Sequence, residues 1–263
     1  MKNVLIVTAA AGFIALFIWL FSLPTPPEQL RFGYSQEAPY AYLDQHKKIT
    51  GIFVTAAEQI AQQLGAKQQE WVLHDFFQLF GSLQQKHIDV IAAGITITSE
   101  RAASLCFTEP LLQANSALLV MANAEIGTNS FNGENKIAVI ANSVEHKQLV
   151  RNNHPLVLVA SADEGALALL QHKAAALALT EPTLLQLQQR FKGQFKLAKH
   201  SGTAELWHFS AFAVHPGSAA LVKQWNKAQR QLQQQAAFQA EARRLGFSIP
   251  KLPDTITEQC YAV

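Results

Sequence analysis

An α/β fold built as two successive units is what this 263-residue sequence predicts, on three observations. Short apolar runs alternate with segments whose apolar residues recur every three or four positions. That is the pattern of strands connected by helices, hence of a parallel sheet covered on both faces. The alternation stops and then starts again at residue 116, so a second, smaller unit follows the first. No segment repeats at a fixed period of roughly 20–50 residues, which argues against a solenoid.

Taken in order, LRFGYS (30–35) alternates as a first strand, and EAPYAYLDQHKKITG reads as a loop with turn residues at Asp44 and Gly51. Thr55-Ala56-Ala57-Glu58 has the form of a capping box. Val54, Ala57, Ile60, Ala61 and Leu64 then share one helical face, and Gly65 ends it. QQEWVLH is a second strand, and Asp75 can cap a helix on which Phe76, Leu79, Phe80 and Leu83 recur at helical spacing. HIDVIAAG is a third strand, apolar after Asp89, as a strand buried on both faces should be. In the second unit SALLVMAN (116–123) is a strand, and NGENKIAVIANSVEHKQLV holds a turn, a strand and a helix start. PLVLVAS is a strand, DEGALALLQHK a helix capped near Ser161, and AAALALTEP a strand. ELWHFSAFAVHP is a further apolar strand, and residues 217–247 form a long helical segment with one break.

Bulk properties exclude some partners. Apolar residues make up 49% of the chain, too many for a disordered one. The net charge of +2, from 21 basic and 19 acidic residues with no Lys/Arg-rich run, leaves no footprint for nucleic acid. From Val4 to Leu23 there is no charge, and twenty residues suffice to cross a hydrocarbon core of about 30 Å. The flank LFSLPTPP is bulky and proline-rich, without an A-x-A cleavage site, and PTPPEQ is a stiff linker. The expectation is an uncleaved anchor with Lys2 in the cytoplasm and the body in the periplasm; the alternative is a cleaved signal. Cys106 and Cys260 share no metal-type spacing, and whether they pair stays open.

For chemistry, the chain carries no G-x-S-x-G, H-E-x-x-H, Walker loop, G-x-G-x-x-G or C-x-x-C, so no catalytic residue, metal site or cofactor is assigned. Nine histidines are scattered, most in polar context. Glu181, at the end of an apolar strand, is either a helix cap or a ligand group. ITITSER (95–101) is more informative. In open α/β sheets ligands bind beyond the carboxyl ends of the strands, and this run follows such an end. Thr96 and Thr98 offer hydroxyls, and Arg101 offers a planar fork that fits a carboxylate better than lysine does. The competing reading is that Ser99 caps a helix and Arg101 pairs with Glu100 or Asp89.

Several stretches resemble the family 3 periplasmic solute-binding proteins, which serve polar amino-acid uptake. They are APYAY, the G-x-x-V-x-x-A-x-x-I-A-x-x-L-G pattern at 51–65, LFGSLQQKHIDVIAAGITITSER (79–101), FTEPLL (107–112), IAVIANS (137–143), LALTEP (177–182) and FAVHPGSAALVKQWNKA, across residues 28–250. The same region also resembles the sensor-like domain ahead of the catalytic domain of a membrane-bound lytic transglycosylase, which likewise begins with an uncleaved anchor.

The resemblance implies a two-lobed, type II binding-protein fold whose lobes close over a ligand. Residues 1–27 would be anchor and linker, 28–118 the first lobe, 119–210 the second, and 211–263 the return to the first lobe and tail. Crossing strands are implied near Leu118–Met121 and Trp207–Phe212. Arg101 would grip the ligand's carboxylate, with Thr96 as hydroxyl partner and the Gly94 backbone beside it. Phe76 would be a wall, Glu37 a cleft residue, Asn142-Ser143-Val144 the second lobe's turn, and Glu181 the acid that meets the α-ammonium. Departures fall mostly in the second half of the site. Asn142 and Val144 replace the family's glycine and threonine, and Glu181 its aspartate; in the first lobe, Phe53 and Thr55 replace acids. The implied function is capture of a small carboxylated solute, an amino acid or related compound, for an ABC permease or a membrane sensor. The alternatives are a regulatory module with a degenerate cleft, or a dehydratase of cyclic carboxylic acids with Glu181 or Glu37 as general acid.

Overall fold

β1 (Gln29–Tyr34) is the first element among the described residues of a computed structural model, which describes 28–125, 131, 135–198, 207–252, 254–255 and 260–261. The expected anchor at 4–23 lies outside the described residues; among those described, no helix is long and apolar enough to cross a membrane. After β1 the segment expected to be a loop contains a small hairpin, β2 (Tyr42–Leu43) with β3 (Ile49–Thr50). α1 (Ile52–Gln63) comes next and buries Val54, Ala57, Ile60 and Ala61, the face its apolar spacing marks. Its start is earlier than the capping-box reading puts it. Gly51 is the N-cap, at φ 126°, and a Cβ there would lie 2.3 Å from the Tyr40 carbonyl oxygen. Only glycine takes that backbone at that distance, so the helix begins at the close approach and Thr55 falls inside it.

β4 (Gln68–Leu73) and β5 (Val90–Thr96) flank β1 in parallel, with α2 (Gln78–Gln84) as the second crossover. Asp75 does not cap α2 with its side chain; its carbonyl accepts from the Gln78 N–H instead. The short α3 (Ser99–Ala102) and β6 (Cys106–Phe107) lead into β7 (Leu112–Met121).

The second lobe repeats the logic with β8 (Ile137–Ile140), α4 (Val144–Arg151), β9 (Leu156–Val159), α5 (Ala162–Leu170), β10 (Ala176–Thr180), α6 (Glu181–Arg190) and β11 (Phe195–Ala198). Ser161 caps α5, accepting from the Glu164 N–H. The chain then returns through β12 (Trp207–Val214) to α7 (Ala219–Gln233) and α8 (Ala236–Arg244), broken at Gln234–Gln235. The strand order is β4-β1-β5-β12-β7-β10-β8-β9.

β7 joins the two halves. Leu112–Asn115 pair with β12, whereas Ser116–Leu119 pair with β10 and Leu118–Met121 with β11. The change of partner therefore falls between Asn115 and Ser116. Leu118–Met121, implied as the crossing, already lies inside the second lobe's sheet.

Each lobe carries an apolar cluster on either face of its sheet. The largest packs Phe53 and Phe212 (centroids 5.0 Å apart), Phe212 and Trp225 (4.9 Å), and Phe32 and Trp225 (6.2 Å) beneath the first lobe's strands. Cys106 and Cys260 are disulfide-bonded, with Cα atoms 4.8 Å apart and a separation of 154 positions in sequence. The bond returns the tail to β6, where the Tyr261 N–H donates to the Phe107 carbonyl at 2.8 Å.

Candidate functional site

Arg101 is placed by a single turn of helix. Thr98, not Ser99, is the N-cap of α3, and its Oγ1 accepts from the Arg101 N–H at 3.2 Å. The side chain turns into the gap between the lobes and is only 8% exposed. Nη1 donates to the Thr96 carbonyl at 2.9 Å, and Nη2 reaches across to the Asn142 carbonyl of the second lobe at 3.2 Å. The rings of Phe76 and Phe80 lie 5.6 and 5.4 Å from the guanidinium carbon. The acids that could have neutralised it are engaged elsewhere: Asp89 holds Arg31 through a 2.7 Å ion pair, and Glu100 holds Lys147. Burial pulls the Arg101 pKa down, opposed by the charges of Glu145 and Glu100. A buried guanidinium bonded only to carbonyls, among the described residues, is a strong attractor for an anion, because the low dielectric magnifies the attraction.

As the lobes stand, the cleft leaves a cavity of about 40 Å³. The first lobe lines it with Glu37, Tyr40, Phe76, Gly94, Thr96 and Arg101. The second lobe supplies Ile140, Ser143, Val144, Glu145, Leu179 and Thr180. Gly94 has φ 64°, and a Cβ there would lie 2.0 Å from the Tyr40 ring, so the strand end can pass under Tyr40 only as glycine. Asn142 also has positive φ, 62°, a conformation asparagine tolerates better than most residues. Ser143 caps α4, its Oγ accepting from the His146 N–H at 3.0 Å.

The lobes touch across the cleft. The Tyr40 hydroxyl donates to Thr180 Oγ1 at 3.0 Å, and the Thr183 hydroxyl donates to Glu37 Oε1 at 2.9 Å. Burial raises the Glu37 carboxyl from 4.5 to about 7; the Thr183 bond opposes this, and the nearby Glu145 charge adds to it. Burial likewise pushes the Tyr40 hydroxyl far above its ordinary range.

Of the residues expected at the site, Glu37, Phe76, Gly94, Thr96, Arg101 and Ser143 come together on the cavity wall. Asn142 takes part through its carbonyl. Glu181 does not line the cavity. β10 ends at Thr180, so Glu181 becomes the first residue of α6, where an acid complements the helix N-terminus. The polar residues that went unforeseen are Tyr40, Thr180 and Glu145 on the wall, and Ser116 and His208 behind Glu145. Tyr40 lies within the APYAY motif; Glu145 had no signal beyond its place after the Ser143 turn.

Comparison with known proteins agrees with this architecture. A probable amino-acid ABC transporter periplasmic-binding protein of Sinorhizobium fredii is 24% identical over 277 residues, covering 96% of this chain and 92% of the relative. The lysine/arginine/ornithine-binding periplasmic protein of Escherichia coli is 28% identical over 45% of this chain and 42% of its own length. Among solved structures, an ancestral arginine-binding protein bound to glutamine superposes with a TM-score of 0.74 at 21% identity, over 83% of this chain and 97% of that one. The substrate-binding protein of an amino acid ABC transporter gives 0.74 at 20% identity, over 82% and 98%. A family profile matches residues 30–244, and the chain belongs to the bacterial extracellular solute-binding proteins, family 3.

Proposed function

We propose that this protein captures an amino acid, or a closely related carboxylated solute, in the interlobe cleft and delivers it to an ABC permease or a membrane sensor. The observation that carries the reading is Arg101, a buried fork hydrogen-bonded to both lobes and to no carboxylate among the described residues. An α-carboxylate docked on that fork would bridge the lobes and favour their closed arrangement. The relatives' names support an amino-acid ligand, and several are named for arginine. Two carboxylates on the wall, Glu37 and Glu145, favour a solute that also carries positive charge. On this reading the first lobe runs from residue 28 to the partner change in β7 at Asn115–Ser116, three residues short of the expected 118/119 boundary, the second lobe follows to about 210, 211–263 is the return, and 4–23 tethers the protein to the inner membrane on its periplasmic side. The disulfide fits that oxidising compartment.

The test is calorimetric and thermal-shift titration of the full-length chain with individual amino acids. A bound ligand raises the melting temperature with the logarithm of its concentration over Kd. A panel with no hit, in a folded protein, removes the reading. One observation favours a second role: Glu37, a carboxyl poised near neutral pH in the cleft, suits a general acid. Release of product from a prephenate-like cyclic acid would establish a dehydratase instead, and an inert chain leaves binding.

A further inference from the structure

An α-amino acid carries its carboxylate and ammonium on one carbon, so in a cleft that takes an amino acid, as proposed above, the protein partners of the two groups must be neighbours. Three acids could meet the ammonium. Glu181 is absent from the cavity wall. Glu37 lines it too, with Oε1 taken by Thr183 as Oε1 of Glu145 is taken by Ser116, but its charge is not among those that act on Arg101. Glu145 lines it three residues beyond Asn142, whose carbonyl touches the Arg101 fork. Its charge acts on both Arg101 and Glu37, so it lies within electrostatic reach of each.

Glu145 is also held as a preset group. Its side chain is buried, yet only Oε1 is engaged: the Ser116 hydroxyl donates to it at 2.8 Å, and His208 Nε2 lies 3.4 Å away. His208 Nε2 in turn hydrogen-bonds the Ser116 oxygen. Oε2 makes no hydrogen bond among the described residues. Ser116 is the residue at which β7 changes partner, and His208 sits on β12, so the carboxylate is braced against both strands that link the lobes. We propose that Glu145, in place of Glu181, receives the ligand's α-ammonium, with Ser116 and His208 as the positioning residues that aim it from the crossing strands. The site then selects α-amino acids over plain carboxylic acids. Bracing the acid at the hinge keeps it aimed without the entropic cost of ordering it on binding.

The experiment is calorimetry on the full-length chain in detergent, with L-arginine and L-glutamine as probes and the des-amino analogue of each as control. Glu145→Gln should weaken the amino acid by about 10- to 100-fold, the usual range for losing a charged hydrogen-bond partner. It should also erase the preference for the amino acid over its des-amino analogue. Glu181→Gln should stay within about threefold of wild type, the size of a solvated helix-end charge. Ser116→Ala retains the acid and covers the case in which Glu145→Gln does not fold: it should cost affinity for the amino acid and none for the analogue. If Glu181→Gln loses the preference while the Glu145 and Ser116 variants keep it, the assignment is overturned. Wild-type protein that binds neither probe sinks the site reading itself, a separate outcome.

Discussion

The two walls of the cleft are made from unlike material. On the first lobe's side the guanidinium descends directly from one run, Gly94 to Arg101: a strand end, a glycine, a hydroxyl residue and a capped turn; Glu37, Tyr40 and Phe76 join the wall from two other segments. Those parts are within eight residues of one another, and local backbone geometry sets them. On the second lobe's side no single run suffices. Asn142 contributes a carbonyl, Ser143 a cap, Glu145 a carboxylate, and the groups that steady Glu145 come from β7 and β12. The run that presents Arg101 can therefore keep its form while the groups around Glu145 change. A fold that holds one ligand end constant can alter what it reads at the other by substitutions in the partner lobe.

The difference can be broken or sharpened experimentally. The largest expected effect is Trp225→Ala, which empties the aromatic cluster under β1 and β12 and should cost about 3–5 kcal/mol in chemical denaturation. Leu169→Ala, in the second lobe's core, should cost about 2–5 kcal/mol. If only one of the two lowers the first unfolding transition, the lobes unfold separately. Next, Arg101→Ala should reduce ligand affinity by about 100-fold or more in calorimetry, and Arg101→Lys should not restore it, because the charge returns without the fork. Wild-type affinity in Arg101→Ala would show that the first wall does not hold the carboxylate. Gly94→Ala forces a side chain into the Tyr40 ring at positive φ and should cost about 1–3 kcal/mol in a melting experiment.

Smaller still is a pH effect at Glu37. Its folded carboxyl is raised from 4.5 to about 7, so the folded state holds the proton more tightly than the unfolded chain does. The associated stability is complete below pH 4.5 and fades as pH rises toward about 7. Glu37→Gln should flatten the stability profile across that window, and an unchanged slope would place the titration elsewhere. The smallest effect belongs to Lys147→Ala, which breaks the exposed pair with Glu100 that spans the lobes. It should leave the melting temperature unchanged within error, as solvent-screened pairs usually do.

Arg101 was legible because a lone fork among hydroxyls, after a buried strand, has few other uses, and the rival partners Asp89 and Glu100 turned out to be occupied. Helix α1 was legible on its buried face and misread at its start, because Thr55 mimics a cap while the actual start depends on the Tyr40 carbonyl over Gly51. Glu181 was carried over by alignment with the family motif, but its position one residue past the strand puts it at a helix start off the cavity wall. Glu145 could not be singled out. Its neighbours Ser116 and His208 lie 29 residues before it and 63 after it, and only the crossing of β7 and β12 brings them together.

The sequence by itself determined the alternating strands and helices, the two-unit plan, the turn that presents Arg101 and the family. Each of these is a matter of periodicity, capping or a contiguous motif, and so of interactions within a few residues. Only the tertiary structure decided that Cys106 meets Cys260, that β7 changes partner between Asn115 and Ser116, and that Glu145 rather than Glu181 lines the cleft. Those outcomes depend on which distant segments the packed lobes bring within bonding distance, and spacing along a chain carries no record of that.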